Sequence, residues 1–449
     1  MSLSKSEISE IVARAQNSPE WGRLGVQLVL QELIYESYVN PSGLRIYKKR
    51  EKQALQHTPT AFELCNEIVG KLDKYAHLNR NTSVAVFFNI EFVDVLIRNY
   101  KVPAANITFF PDSSIEARIA KDLYKVNVGN RIKKGNFMPN SVRKFDIILM
   151  NPPYQDNDAK GNRKAKSDNL FSRFLQLAVN DLVHEHGFLA LITPISWMTP
   201  SETNGLYAEI FKPNTLHYLN LGHAKKHFPT VGSTFSWYVL QKKKAEQGHL
   251  TKVQSLHKRK NYSDKIDLST YNLDFLPSIL NQKTLDILQK VFCNDHKKLS
   301  FQKSYEHESR KVFMSKKQTT EHKFCDRHTG SSFLYSSKEH SVANRQKILM
   351  SVSGYVRPEY DDGCLGVTQG CFYMLADDEA HGKKIVHLLH SKLYQFILGH
   401  ACKWSGFNNL DILNLLPETN LDTNSINDQN LYQFFNLHQD EIDFVNSIC

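Results

Sequence analysis

The chain has 449 residues, 41% hydrophobic and 23% charged, an ordinary globular composition with room for two or three domains and ample core. No apolar run reaches membrane-spanning length and Met1-Ser-Leu-Ser-Lys opens no secretory signal, so a cytoplasmic protein with no membrane partner is expected. Lysine and arginine exceed aspartate and glutamate by ten, and the seven scattered cysteines suggest neither a disulfide framework nor a paired CxxC metal site. The basic excess is uneven. It crowds Lys242 to Lys347, interleaved with His, Tyr and Phe, whereas no lysine or arginine follows Lys403. Such a basic, aromatic middle is the electrostatic footprint of a phosphate-backbone binder, although charge alone decides little, since a charged segment is usually a solvated surface.

In chain order, residues 1–50 read as an N-terminal helical segment, with Ser4 as a cap and Leu24 to Tyr38 as an apolar-periodic stretch. Thr58-Pro59 then predicts a helix start, with Phe62, Leu64, Ile68, Val69 and Leu72 on one face. Ser83 to Phe88 reads as a buried strand, followed by a helix from Glu91 to Tyr100. Ile107 to Phe110 is a second strand, ending in Pro111-Asp112. A carboxylate at that position can accept both hydroxyls of a ribose, and serves equally well as a loop residue before Ser113-Ser114.

Phe145 to Met150 is a third buried strand, and it stops at Asn151-Pro152-Pro153-Tyr154 because prolines cannot continue a central ladder. Pro152 fixes its own φ and Pro153 confines Pro152 to an extended form, so the Pro152 carbonyl points in a preset direction. The Asn151 amide oxygen is a second acceptor beside it, and Tyr154 offers a flat face for stacking. Two acceptors on one planar amino group plus a stacking face describe a site for alkylating an exocyclic amine. A polar loop, 155–168, follows. Then come a helix with its apolar stripe at Phe171, Phe174, Leu175, Ala178 and Leu182, a strand from Gly187 to Ile192, and strands at His217 to Leu221 and Ser233 to Leu240. Strands alternating with helices imply an α/β, doubly wound sheet, with the last strand half of an antiparallel edge hairpin. Beyond Gln241 the composition shifts to Lys, His, Ser and Asn, which sets a domain boundary there. Ile348 to Tyr355, Gly366 to Leu375, a helix through Leu388 to Ile397, Ser405-Gly406-Phe407 and Leu413 to Pro417 make a second pattern of strands and helix. His322, Cys325 and His328 are too few for a zinc site, and no metal is expected.

Asn151-Pro152-Pro153-Tyr154 resembles the catalytic motif of amino-group methyltransferases that use S-adenosylmethionine, most closely the N6-adenine DNA methyltransferases of restriction-modification systems in their gamma arrangement. The resemblance covers residues 55 to 240 well and 345 to 420 loosely. It implies a Rossmann-like methyltransferase domain over 51–241, then a C-terminal α+β target-recognition region over 242–449. It further implies S-adenosylmethionine as cofactor, held by Thr58, Pro59, Asn89, Glu91, Asp112, Asn136 and Phe137, with Thr58-Pro59 beside the methionine end and Asn136-Phe137 at the adenine. Duplex DNA is the implied partner, with a flipped adenine held by Asn151 and Pro152 and stacked between Tyr154 and an aromatic of the last hairpin, Phe235 or Trp237. A separate restriction endonuclease is left open as a partner; no nuclease signature stands out in the chain itself. The family's glycine-rich cofactor turn is replaced by Asn89-Ile90-Glu91-Phe92-Val93-Asp94, so that cradle has to be built without cheap positive φ. Methylation of RNA, and DNA binding on a decayed methyltransferase fold, are the rival readings.

Overall fold

The computed structural model describes residues 38–39, 45–46, 60–111, 116–117, 120–121, 124–130, 143–154, 170–201, 205–227, 234–257 and 260–449. Of the N-terminal segment expected to be helical, the described part is a short antiparallel pairing, Tyr38–Val39 with Arg45–Ile46, so Tyr38 is extended rather than helical. The chain forms two compact units, one of residues 1–197 and 206–269, the other of residues 198–205 and 270–449.

The first unit is built on a nine-stranded sheet. Helix α1 (Phe62–Ala76) precedes it and buries Phe62, Leu64, Cys65, Ile68, Val69 and Leu72, a stripe at helical spacing. The helix starts later than Thr58-Pro59 predicts: Ala61 is its N-cap and contributes no side-chain bond. In chain order the strands are β1 (Val84–Phe87), β2 (Ile107–Phe110), β3 (Asn127–Val128), β4 (Phe145–Met150), β5 (Val183–Pro194), β6 (Thr215–Leu221), β7 (Phe235–Gln241), β8 (Leu250–His257) and β9 (Lys260–Asp267). Helix α2 (Ile90–Arg98) follows β1, and α3 (Leu170–Leu177) leads into β5. The order across the sheet is β9-β8-β6-β7-β5-β4-β1-β2-β3. Strands β1 to β5 run parallel, while β7 is antiparallel to both of its neighbours, β5 and β6. This is an α/β, Rossmann-like fold. The central strands are apolar on both faces, as a sheet covered on both sides requires. Ile68, Val69, Val86, Val93, Ile147 and Leu149 share one core cluster.

Two expectations change here. The β6 and β7 strands do not close the sheet: β8 pairs parallel with β6, and β9 pairs antiparallel with β8, so the edge lies two strands farther out. The first unit accordingly runs to Ser269, well past the compositional boundary at Gln241. An edge hairpin needs few apolar residues. Val253 and Ile266 are buried while Lys252, Lys260 and Lys265 interrupt them, and such a sequence reads as a polar linker.

The second unit holds helix α4 (Gln282–Phe292) and eight short strands: β10 (Gln302–Lys303), β11 (Met314–Ser315), β12 (Phe324–Arg327), β13 (Phe333–Ser336), β14 (Lys347–Ser351), β15 (Glu359–Asp361), β16 (Gly366–Val367) and β17 (Cys371–Leu375). They form two four-stranded sheets, β10-β17-β14-β15 and β11-β13-β12-β16. Helices α5 (Glu379–His390), α6 (Lys392–Phe396), α7 (Leu410–Leu415), α8 (Asp428–Phe434) and α9 (Gln439–Ile448) follow, an α+β arrangement. Ile348, Met350, Leu388, Phe396, Ile412 and Leu431 lie in its core. Gly366 to Leu375 is split between the two sheets, with the backbone turning over Thr368-Gln369-Gly370 against His328.

Candidate active site at the carboxyl edge of the sheet

From β1 the sheet is extended on one side by β2 and β3 and on the other by β4. Chains leaving β1 and β4 therefore diverge and open a crevice beyond their carboxyl ends, where open α/β sheets bind ligands. Phe87 is in register with Met150, so Phe88-Asn89 and Asn151 leave the sheet at the same level.

Asn151 is 1% exposed and held from two sides. Its Nδ2 donates to Thr60 Oγ1 at 3.1 Å, and the Tyr154 hydroxyl donates to its Oδ1 at 2.7 Å. Both amide atoms are thus oriented by partners fixed in the fold. Pro152 and Pro153 are buried between Asn151 and Tyr154. The Tyr154 ring is half-buried, 5.4 Å from the Phe235 ring and tilted 37° to it. Burial, reinforced by Tyr238 nearby, pushes its phenol well above the usual tyrosine range, so at neutral pH it is a donor and not a base. Of the two aromatics expected from the last hairpin, Phe235 lies against Tyr154, whereas Trp237 packs in the core 4.7 Å from Tyr218.

Across the crevice, Asn89 and Glu91 are buried at the end of β1 and the first turn of α2. A carboxylate there is favoured by the helix N-terminus and is the natural partner for an ammonium group. Asp94 is already committed, accepting from Arg98 Nε at 2.9 Å and from the Tyr124 hydroxyl at 3.1 Å. The turn itself runs through Phe88, which has φ +70°. Asn89 N–H donates to the Phe87 carbonyl and Phe88 N–H to the Phe110 carbonyl, both at 2.9 Å. Positive φ is therefore present after all, carried by a phenylalanine whose ring is locked edge-on against Phe174 at 5.1 Å. The buried pair Asn89 and Glu91 beside this backward turn fits the amino-acid end of S-adenosylmethionine. Thr58, Pro59, Asp112, Asn136 and Phe137 lie outside the described residues.

Two participants escaped the sequence reading. Thr60 is indistinguishable in sequence from another cap residue of the Thr-Pro helix start, and its role depends on a partner 91 positions away. Ser236 accepts from Trp197 Nε1 at 2.9 Å and ties the turn at Trp197 to β7 beside Phe235.

Residues 59–226 match the profile of the family described as Eco57I restriction-modification methylase. An uncharacterized adenine-specific methylase of Mycoplasma pneumoniae (strain ATCC 29342 / M129 / Subtype 1) is 28% identical over 193 residues, 41% of this chain and 43% of the relative. The chain thus spans less than half the length of that relative. Among solved structures, the DrdV–DNA complex is similar over 91% of this chain and 59% of its own, with a TM-score of 0.51 at 12% identity. The type IIL restriction-modification enzyme MmeI in complex with DNA is similar over 82% and 65%, with a TM-score of 0.49 at 9% identity.

Proposed function

We propose that this chain, which carries a restriction-modification methylase domain over residues 59–226, methylates the N6 amino group of adenine in duplex DNA, with S-adenosylmethionine as cofactor. The observation that carries the reading is the setting of Asn151: buried at the carboxyl end of β4, its amide oriented by Thr60 and Tyr154, and followed by two prolines that fix the next carbonyl. An amide oxygen carries two lone pairs, so Asn151 Oδ1, with the Pro152 carbonyl, can accept both N–H bonds of one planar amino group. Tyr154 and Phe235 supply aromatic faces for the base, the former at the tetrapeptide and the latter at the end of β7.

S-adenosylmethionine supplies an electrophilic methyl on a positive sulfur, so no metal, covalent enzyme intermediate or strong base is required of the chain. Glu91 and Asn89 would hold its amino-acid end. The chain's own contribution is to orient the amine and hold the ring, and positioning of this kind lowers a barrier without further chemistry. An adenine N6 inside a stacked duplex cannot reach a buried Asn151, so the target base is extruded from the helix. The second unit serves as the DNA-recognition part.

Transfer of labelled methyl to mixed-sequence duplex DNA, with the product nucleoside identified, tests this. N6-methyladenosine is expected from the parent, with Asn151→Ala lower by at least about a hundredfold, the scale for removing one preorganised polar group from a buried site. Label found only in RNA, or tight DNA binding with no transfer, overturns it.

A further inference from the structure

We propose that the segment 310–323 of the second unit, together with Lys338, is the surface that grips the DNA phosphate backbone; this rests on the chain being a DNA methyltransferase. The observation is a contrast in how the unit's cations are used. Several lysines elsewhere in the unit are neutralised by carboxylates: Lys283 by Asp440, Lys290 by Glu441, Lys297 by Glu418, Lys347 by Asp361 and Lys383 by Glu379. Those charges serve the fold. Arg310, Lys316, Lys317 and Lys323 are exposed and, among the described residues, make no ion pair. The segment 310–323 holds five basic residues and one acidic residue, Glu321.

The same segment presents its charge on a fixed frame. Strands β11 and β12 flank β13, with Met314 and Phe324 both opposite Ser336, so their flanking residues are brought to one small sheet. The intervening turn is pinned: Ser315 Oγ donates to the Lys317 carbonyl at 2.7 Å, and His322 N–H donates to Thr319 Oγ1 at 2.9 Å. Lys323 lies over the Phe324 ring at 5.1 Å and Lys338 over Phe313 at 5.0 Å, which holds their ammonium groups at the surface. Like charges held together without counterions repel one another, and an anionic polymer relieves that repulsion while releasing its own condensed ions. Within the broad basic stretch of the sequence, this places the phosphate-binding face on the β11–β12 connection of the second unit.

The test is binding of the full-length protein to duplex DNA, by fluorescence anisotropy, between about 50 and 200 mM salt. Removing one cation that touches a phosphate makes the slope of log K against log salt shallower by about 0.9. The triple variant Lys316→Ala/Lys317→Ala/Lys323→Ala is expected to flatten the slope by about 2 to 3, with its melting temperature and cofactor binding unchanged. A matched variant, Lys283→Ala/Lys297→Ala/Lys383→Ala, removes the same charge from paired positions and is expected to leave the slope as in the parent. Equal flattening by both variants would mean that the slope follows net charge alone, and would overturn the assignment. So would an unmoved slope, or a change confined to oligomeric state in sedimentation, which would give the face to a second copy. Those results leave the catalytic reading standing, whereas a parent that binds no duplex DNA removes both.

Discussion

In the proposed reaction Asn151 presents an acceptor to the substrate amine, and an amide can be turned either way round. What selects the orientation is Thr60, whose Oγ1 takes the amide hydrogen and leaves Oδ1 on the Tyr154 side. Thr60→Val keeps the shape and removes the acceptor, and losing this buried hydrogen bond costs about 1–3 kcal/mol. We expect kcat to fall about ten- to a hundredfold with KM for DNA nearly unchanged, and Thr60→Ser to restore most of it, in steady-state methyl-transfer assays. An equal loss in Thr60→Ser would show that packing of the methyl group, and not the hydroxyl, is what matters. The tetrapeptide was legible in the sequence because prolines and a strand end speak locally. The side chain that orients it was not, since nothing near Thr60 signals a hydrogen bond to a residue at the end of a distant strand.

The turn between β1 and α2 shows the same divide for a whole element. Both flanking elements follow from local pattern, an all-apolar run and then helical spacing, and the structure places them within a residue or two of that reading. Absence of glycine in the turn correctly marked a place where positive φ would be expensive, and the structure puts that φ on Phe88. Packing against Phe174 and Phe87 holds the ring. At an ordinary position glycine is less stable than alanine by roughly 0.5–1 kcal/mol. Here the left-handed conformation penalises alanine by roughly 1–2 kcal/mol, so the order is expected to invert. Phe88→Ala and Phe88→Gly both remove the ring, at a cost of about 3–5 kcal/mol, but Phe88→Gly is expected to melt at the higher denaturant concentration. Alanine the more stable of the two would mean that the turn relaxes out of positive φ once the ring is gone.

Composition places the division of the molecule at Gln241, and the fold places it at Ser269, because the hairpin β8–β9 belongs to the sheet. Its apolar content is low, yet Thr251 Oγ1 donates to the Leu216 carbonyl at 2.6 Å and Val253 and Ile266 are buried. The division is also not a single cut. Residues 198–205 belong to the second unit, where Leu276 N–H donates to the Met198 carbonyl at 2.9 Å. These two facts set the stability of shortened chains. Ending at Gln241 strips β6 of its parallel partner, leaves a long apolar strand as an edge and removes two core side chains, each worth roughly 1.5–3 kcal/mol. Ending at Ser269 keeps the sheet whole but leaves the buried Met198 segment without Leu276. The expected order of melting temperatures is the full chain, then 1–269, then 1–241, with the last two separated by about 10 °C at roughly two to four degrees per kcal/mol. Differential scanning fluorimetry of the three chains decides it. A 1–241 chain as stable as 1–269 would show the hairpin to be an appendage, and would return the boundary to where composition puts it.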